Sequence, residues 1–212
     1  MPDHIVELKP RPRGRVTIKL AGGRFFTVPL DQTRALSVGT ALSDGEISRL
    51  DRIDQYFRGK SKAMLLLSKR ARTRAQIKTA LEKLSIEPSI RDGILSELIE
   101  MGLVDDRRFA REYVHLKSEV RGFGPHRLRH DLTRLGVGSA IVDEVLDGSF
   151  DSEKQTSMAR ELALRRAGGG SVDEKTARRI ADLLRRKGFD FEVVNRVVYD
   201  LLHRRKDGGA LE

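Results

Sequence analysis

The chain has 212 residues with 41 Lys or Arg against 31 Asp or Glu, and its formal net charge of +10 favours polyanionic partners such as nucleic acid or an acidic protein surface. It contains no cysteine, which excludes disulfides and thiolate chemistry. Its apolar runs are far shorter than the roughly 20 residues of a membrane span and no secretion signal opens it, so we expect a cytoplasmic protein with no membrane association.

The first part of the chain predicts a β-hairpin followed by a helix. The segments RVTIKL (15–20) and RFFTVPL (24–30) alternate in polarity around Ala-Gly-Gly, which is typical of a tight hairpin turn. Beyond them, LSDGEISRLDRIDQYFRGK begins with cap-forming residues and spaces its apolar side chains as a helix does. We expect this helix to join the hairpin to the rest of the chain.

One pattern of five apolar positions then occurs three times, at offsets of 51 and 52 residues. The positions are Ile77, Leu81, Ile86, Ile90 and Ile94 in the first copy, Leu128, Leu132, Val137, Ile141 and Val145 in the second, and Ile180, Leu184, Phe189, Val193 and Val197 in the third. Each copy reads as two amphipathic helices joined by a short turn. Because the gap between the helices is preserved as well, the copies indicate a tandem repeat.

The turn and cap residues fit this interpretation. Gly136 and Gly188 lie where a left-handed helix end is expected, whereas Ser85 in the first copy predicts a weaker stop. Residues predicted to begin or cap helices are Thr73, Pro88, Asp105, Asp106, Thr176 and Asp190.

A further helical segment precedes each copy, at 62–70, 106–120 and 153–166, so the repeating unit is a three-helix module. We therefore predict a mainly α fold in which three tandem three-helix modules form a curved, elongated array behind a small N-terminal β-hairpin. The predicted divisions are 1–58 for the hairpin and connecting helix, 59–104, 105–148 and 149–206 for the three repeats, and 207–212 for a disordered tail.

Three blocks of the sequence are distinctive: AMLLLSKRARTRAQIKTAL at 63–81, MGLVDDRRFAREYVHLKSEVRGFGPHRLRHDL at 101–132 and LLRRKGFDFEVVNRVV at 183–198. These blocks resemble the RecX regulatory proteins, which restrain the RecA recombinase. The middle block, with its paired Asp, Phe-Ala, Tyr and Gly-x-Gly-Pro before a basic helix, is the most specific. Departures are modest: Val104 stands where the family often has Leu, and Ser85 replaces a common Gly.

The resemblance implies a helical array that lies along the groove of a RecA filament on single-stranded DNA. There it would block filament extension and reduce ATP hydrolysis, strand exchange and repressor cleavage, which connects the chain with homologous recombination, DNA repair and the SOS response. Partners would be the RecA filament and single-stranded DNA, with double-stranded DNA as a further candidate, and the protein would act as a monomer. The family has no catalytic residues to transfer, and no cofactor is expected.

Candidate binding residues are basic and lie off the apolar stripe. They are Arg70, Arg72 and Arg74 in the first copy, Arg121, Arg127, Arg129 and Arg134 in the second, and Arg178, Arg179, Arg185, Arg186 and Lys187 in the third. Arginine can fork onto phosphate or carboxylate. A solvated helix face is the alternative interpretation for each of them. The RGFGP segment at 121–125 reads equally well as a phosphate-approaching loop or as a plain interhelix turn.

Other chemistry has little support in the sequence. His126 and His130 share a helical face, but Arg127 stands where a zinc-protease helix has its Glu. The linker AGGGSVD lacks the Lys of a phosphate-binding loop. No Trp is present and aromatic residues are few, which disfavours a base-stacking platform. The main alternative function is therefore a general basic helical protein that acts by covering DNA, with an enzyme a distant third.

Overall fold

The computed structural model describes residues 3–168 and 172–203. Within them the chain forms two compact units. The first extends to Val104, except for Thr73–Ala75, which belong with the residues after Val104 in the second unit. The predicted tail at 207–212 and residues 169–171 of the Gly-rich linker lie outside the described residues.

The first unit begins with an antiparallel sheet whose strand order is β3-β2-β1-β4. The strands are β1 (Asp3–Arg11), β2 (Arg15–Leu20), β3 (Phe25–Pro29) and β4 (Ala41–Leu42), with a 3-10 helix at Leu30–Thr33. The predicted hairpin is confirmed as β2 and β3, which pair in register from Arg15 opposite Pro29 to Lys19 opposite Phe25. Sequence analysis missed β1, because among its nine residues Ile5 alone is fully buried and the alternation is correspondingly weak.

The inner face of the sheet packs on the first half of helix α1 (Asp44–Leu67). A capping box begins this helix: the Ser43 hydroxyl accepts a hydrogen bond from the Glu46 N–H at 3.3 Å, and the Glu46 carboxylate accepts one from the Ser43 N–H at 2.8 Å. The helix runs through both the predicted connecting helix and most of the segment at 62–70, so the predicted division at 58–59 falls inside it.

Eight further helices follow within the described residues. They are α2 (Arg74–Glu82), α3 (Pro88–Glu100), α4 (Asp106–Arg121), α5 (Pro125–Arg134), α6 (Ser139–Asp147), α7 (Ser152–Ala167), α8 (Glu174–Lys187) and α9 (Phe191–His203). Helices α4 to α6 enclose one buried cluster and α7 to α9 another, while the end of α1 shares a third with α2 and α3. The predicted mainly α fold of three-helix modules behind an N-terminal strand region is confirmed.

The repeated stripe forms these cores. All of the predicted apolar positions are buried except Ile141, which is half-buried. Gly136 and Gly188 end their helices with φ of 81° and 87°. Ser85 takes the same left-handed conformation with φ of 54°. This conformation costs a residue with a β-carbon more than it costs glycine, so the weaker stop at Ser85 stays a prediction.

The caps differ in part from the prediction. Asp105 caps α4 as expected by accepting from the Arg108 N–H at 2.9 Å. Its neighbour Asp106 instead accepts a hydrogen bond from the Arg74 N–H at the start of α2, at 2.8 Å. The cap of α8 is not Thr176 but Asp173, whose carboxylate can lie within reach of free N–H groups because it stands three residues earlier.

No helix among residues 3–168 and 172–203 is long and apolar enough to cross a membrane.

Candidate functional site

The RGFGP segment forms the turn between α4 and α5. Gly122 ends α4 in the left-handed conformation with φ of 59°, and its N–H donates to the Ser118 carbonyl. The Phe123 N–H reaches back six residues to the Lys117 carbonyl at 3.2 Å, so the segment folds back on the last turn of α4. Pro125 then occupies the first turn of α5, where its missing N–H costs nothing.

The end of α8 docks on this turn. The Gly124 N–H donates to the Lys187 carbonyl at 2.8 Å, and the His126 N–H donates to the Gly188 carbonyl at 3.0 Å. These two N–H groups would otherwise be free to bind an anion at the start of a helix. Because carbonyl oxygens of α8 occupy them, the structure favours the interhelix turn over the phosphate-approaching loop. We call this contact the α5–α8 joint.

A related contact occurs one repeat earlier in the second unit. The Thr73 hydroxyl donates to the Leu135 carbonyl at 2.7 Å, and Ala75 packs on Gly136 so closely that a β-carbon on this glycine would lie 2.3 Å from that of Ala75. These residues precede those of the α5–α8 joint by the repeat offsets of 51 and 52. The joint therefore occupies positions that the repeat preserves.

Two cations lie over the Phe123 ring beside the joint. The Arg127 guanidinium carbon is 5.5 Å from the ring centroid and the Lys187 ammonium is 5.1 Å from it. Lys187 also donates to the Arg121 carbonyl at the end of α4, at 2.6 Å. Both contacts favour a cation, since the face of an aromatic ring and the carbonyl end of a helix carry partial negative charge. Positive charge is thus fixed in position at the joint.

Asp131 anchors the other side of this basic surface. Its carboxylate is buried and accepts hydrogen bonds from the Tyr113 hydroxyl and from Arg127 Nε, each at 3.4 Å. His130 and Arg134 lie 3.7 Å from its other oxygen. Burial and the neighbouring Asp131 carboxylate raise the pKa of Tyr113, which keeps the phenol a hydrogen-bond donor.

Four of the predicted binding residues come together here. Together with Phe123 and Asp131 we call them the Phe123 cluster; its cations are Arg121, Arg127, Arg134 and Lys187. The cluster contains four positive residues and one carboxylate, so the surface keeps a net positive charge. Sequence analysis missed Phe123 and Asp131, although the spacing of Asp131 four residues after Arg127 and three before Arg134 is a recognisable ion-pair pattern.

The other candidates in the second unit are placed differently. Arg129 forms an ion pair with Asp143 of α6. Arg178 lies 3.7 Å from Glu174, and Arg185 lies 3.5 Å from Asp182, so both have acidic partners within α8. Arg179 and Arg186 are exposed on the same helix.

Of the three candidates in the first copy, Arg70 and Arg72 lie in the link between α1 and α2, and Arg74 begins α2. Arg70 is exposed and Arg72 half-buried. The backbone N–H of Arg74 donates to the Asp106 carboxylate, and the Arg74 side chain is exposed.

The two histidines on the α5 face have carboxylate neighbours. His126 Nε2 lies 2.7 Å from Asp190 at the start of α9, and His130 lies beside Asp131. Among residues 3–168 and 172–203, no group of three or more His, Cys, Asp or Glu is arranged to hold a metal ion.

Known proteins resemble the chain in sequence and in structure. The family described as "RecX, second three-helix domain" matches residues 105–146, which contain most of the Phe123 cluster. The regulatory protein RecX of Amycolatopsis mediterranei is 34% identical over 138 residues, which cover 64% of this chain and 78% of that protein. RecX of a Geobacillus species is 28% identical over 198 residues, or 91% of this chain and 73% of that protein.

A solved crystal structure of a regulatory protein RecX superposes with a TM-score of 0.67 at 26% identity, covering 92% of this chain and 98% of that one. Sequence and fold agree over most of both chains. The chain therefore belongs to the RecX family of regulatory proteins.

Proposed function

We propose that this chain binds RecA filaments on single-stranded DNA and inhibits filament extension, ATP hydrolysis and strand exchange. Membership of a family of regulatory proteins supports the regulatory part of this proposal. The observation that carries the binding part is the Phe123 cluster, a basic surface built at a contact between two repeats.

The geometry of the cluster suits a phosphate or carboxylate partner. Arg127 and Lys187 are held over one ring, so they lose less side-chain freedom on binding than cations on a free helix face would. Arg121 and Arg134 are exposed beside them and can each present a planar fork to an anion. A RecA filament on DNA supplies anions of both kinds, on its strand and on its protein surface.

Repetition of the module supports action at low stoichiometry. Three three-helix modules offer several separate surfaces, and contacts made together on neighbouring protomers act at a high effective concentration. One chain could then affect several protomers. We propose that it does so as a monomer, because a formal net charge of +10 opposes self-association.

The competing hypothesis is that the chain is a general basic helical protein that acts by covering DNA. Its net charge alone would be sufficient for this kind of DNA binding. A titration separates the two. The protein is added to a fixed amount of preformed RecA filament, and ATP hydrolysis and strand exchange are followed with and without excess single-stranded DNA. We expect inhibition at clearly substoichiometric ratios that excess DNA does not relieve. Inhibition only near saturation of the strand, with relief by added DNA, would leave the DNA-covering function.

A further inference from the structure

Helix α4 carries a second apolar stripe beside the one that it buries in its own module. The stripe, here called the α4 stripe, consists of Phe109, Tyr113, Leu116 and Val120. The two aromatic residues are half-buried at the edge of the module's own buried cluster, and they stack on each other with ring centroids 6.1 Å apart. The two aliphatic residues are 56% and 68% exposed, respectively. Large exposed apolar side chains that adjoin one another are typical of an interaction surface.

The α4 stripe borders the Phe123 cluster. Tyr113 belongs to the stripe, and its hydroxyl donates to Asp131, the carboxylate that anchors the cluster. Lys117, in the next turn, places its ammonium 5.5 Å from the Tyr113 ring centroid. A basic surface and an apolar one therefore meet at Tyr113, and one partner can contact both.

The chemistry of this combined surface selects among partners. Leu116 and Val120 have no π-face for a base to stack on and no donor for a phosphate, so naked DNA gains little from them. A second copy of this chain would bring the same cations face to face around the stripe, and like charges oppose that contact. An acidic protein surface with apolar side chains at its centre can pair with the cations of the Phe123 cluster and bury the α4 stripe at the same time.

We propose that the α4 stripe contacts protein, namely an acidic and apolar patch on the recombinase protomer, while the adjoining cations contact anions beside it. This inference rests on the proposed function, and it assigns contact with the protein component of the filament to the α4 stripe. It makes the α4 stripe the source of preference for the filament over bare DNA.

The test replaces Leu116 and Val120 together by Gln, a good helix former that removes the apolar surface without adding charge. The matched control replaces Leu30 and Val38 by Gln in the first unit, where they are 58% and 63% exposed. Affinity is measured for preformed RecA filaments on single-stranded DNA and for the same DNA without RecA. Circular dichroism melting verifies the fold of each variant.

We expect L116Q/V120Q to bind filaments about tenfold more weakly, with unchanged affinity for naked DNA, and the control to match the wild type on both. Equal weakening on filaments and naked DNA would overturn the inference, as would wild-type binding of both by L116Q/V120Q. If the wild type is a dimer in solution and L116Q/V120Q is a monomer, the α4 stripe binds a second copy of this chain and the inference is wrong. If the wild type itself shows no preference for filaments over naked DNA, the proposed function fails. Either result for L116Q/V120Q that overturns the inference leaves filament binding by the wild type intact.

Discussion

A β-carbon placed on Gly188 would lie 2.3 Å from the amide nitrogen of Arg127. This glycine ends α8 with φ of 87° and is buried against the first turn of α5. Its conformation disfavours any side chain, and the close approach leaves no space for one. Gly188 thus joins the end of α8 to the helix that bears half of the Phe123 cluster.

The first prediction concerns this glycine. Gly188→Ala should destabilise the protein by about 2 to 4 kcal/mol, because it combines left-handed backbone strain with a clash against backbone atoms. Gly102→Ala is the control, since that residue has φ of 66° but open space around the added carbon. It should cost only about 1 to 2 kcal/mol. Chemical denaturation of both variants measures the difference, and equal losses would contradict the tight contact at the joint.

Asp131→Asn tests the buried anchor of the cluster. The substitution keeps the shape of the side chain but removes the charge that accepts from Tyr113 and Arg127, so we expect a loss of about 1 to 3 kcal/mol in unfolding free energy. Asp143→Asn removes the exposed partner of Arg129 and should change it by under about 1 kcal/mol. If denaturation curves give the two variants the same unfolding free energy, Asp131 contributes no more to stability than a surface ion pair does.

Two arginines of α5 allow a matched test of DNA contacts. The Arg134 side chain is 71% exposed within the cluster, whereas Arg129 lies on another face, paired with Asp143. Arg134→Ala should weaken filament and DNA binding and reduce the slope of log affinity against log salt by about 0.7 to 0.9 if it contacts one phosphate. Arg129→Ala changes the net charge equally, so the two variants separate local contact from overall charge. If the two variants have indistinguishable salt slopes, Arg134 makes no specific contact and belongs to a solvated helix face.

The repeat was predictable from sequence because each copy must bury the same stripe between the same two helices. Gly136 and Gly188 could be identified as helix ends for the same reason. Which basic residues come together could not be predicted, since that depends on how α8 meets α5 and not on either helix alone. The ion pair of Arg129 with Asp143 joins residues of two different helices, so no pattern within one helix predicts it.

The capping aspartates predict how stability depends on pH. Hydrogen bonds from Arg108 to Asp105 and from Thr176 to Asp173 lower the pKa of both carboxyls in the folded state. In the unfolded chain the pKa of Asp is about 3.9, so the unfolded chain takes up protons first as pH falls. The stabilisation is complete above that value and is lost as pH falls through the lower folded pKa.

Asn caps helices without titrating, so the variant Asp105→Asn/Asp173→Asn should lose less of its melting temperature than the wild type as pH falls from about 5 to 2. Thermal melts at a series of pH values give this comparison. Glu46 and Glu97 also have lowered pKa values and remain in both proteins, so the difference between the two curves is the informative quantity. Parallel curves would mean that these caps contribute nothing to the acid sensitivity.

The last prediction concerns removal of the third module. Helices α4 to α6 and α7 to α9 have separate buried clusters, so a chain ending at residue 148 retains the whole of α4 to α6. It loses Phe150, which is a buried member of that cluster, and the Met158 contact with it. It also leaves the N–H groups of Gly124 and His126 without their carbonyl partners at the end of α8. Water can satisfy these N–H groups, so the shortened chain should fold with a lower melting temperature. Circular dichroism would show a cooperative transition at reduced temperature, whereas a shortened chain that is fully unfolded would show that the modules cannot fold without their C-terminal neighbour.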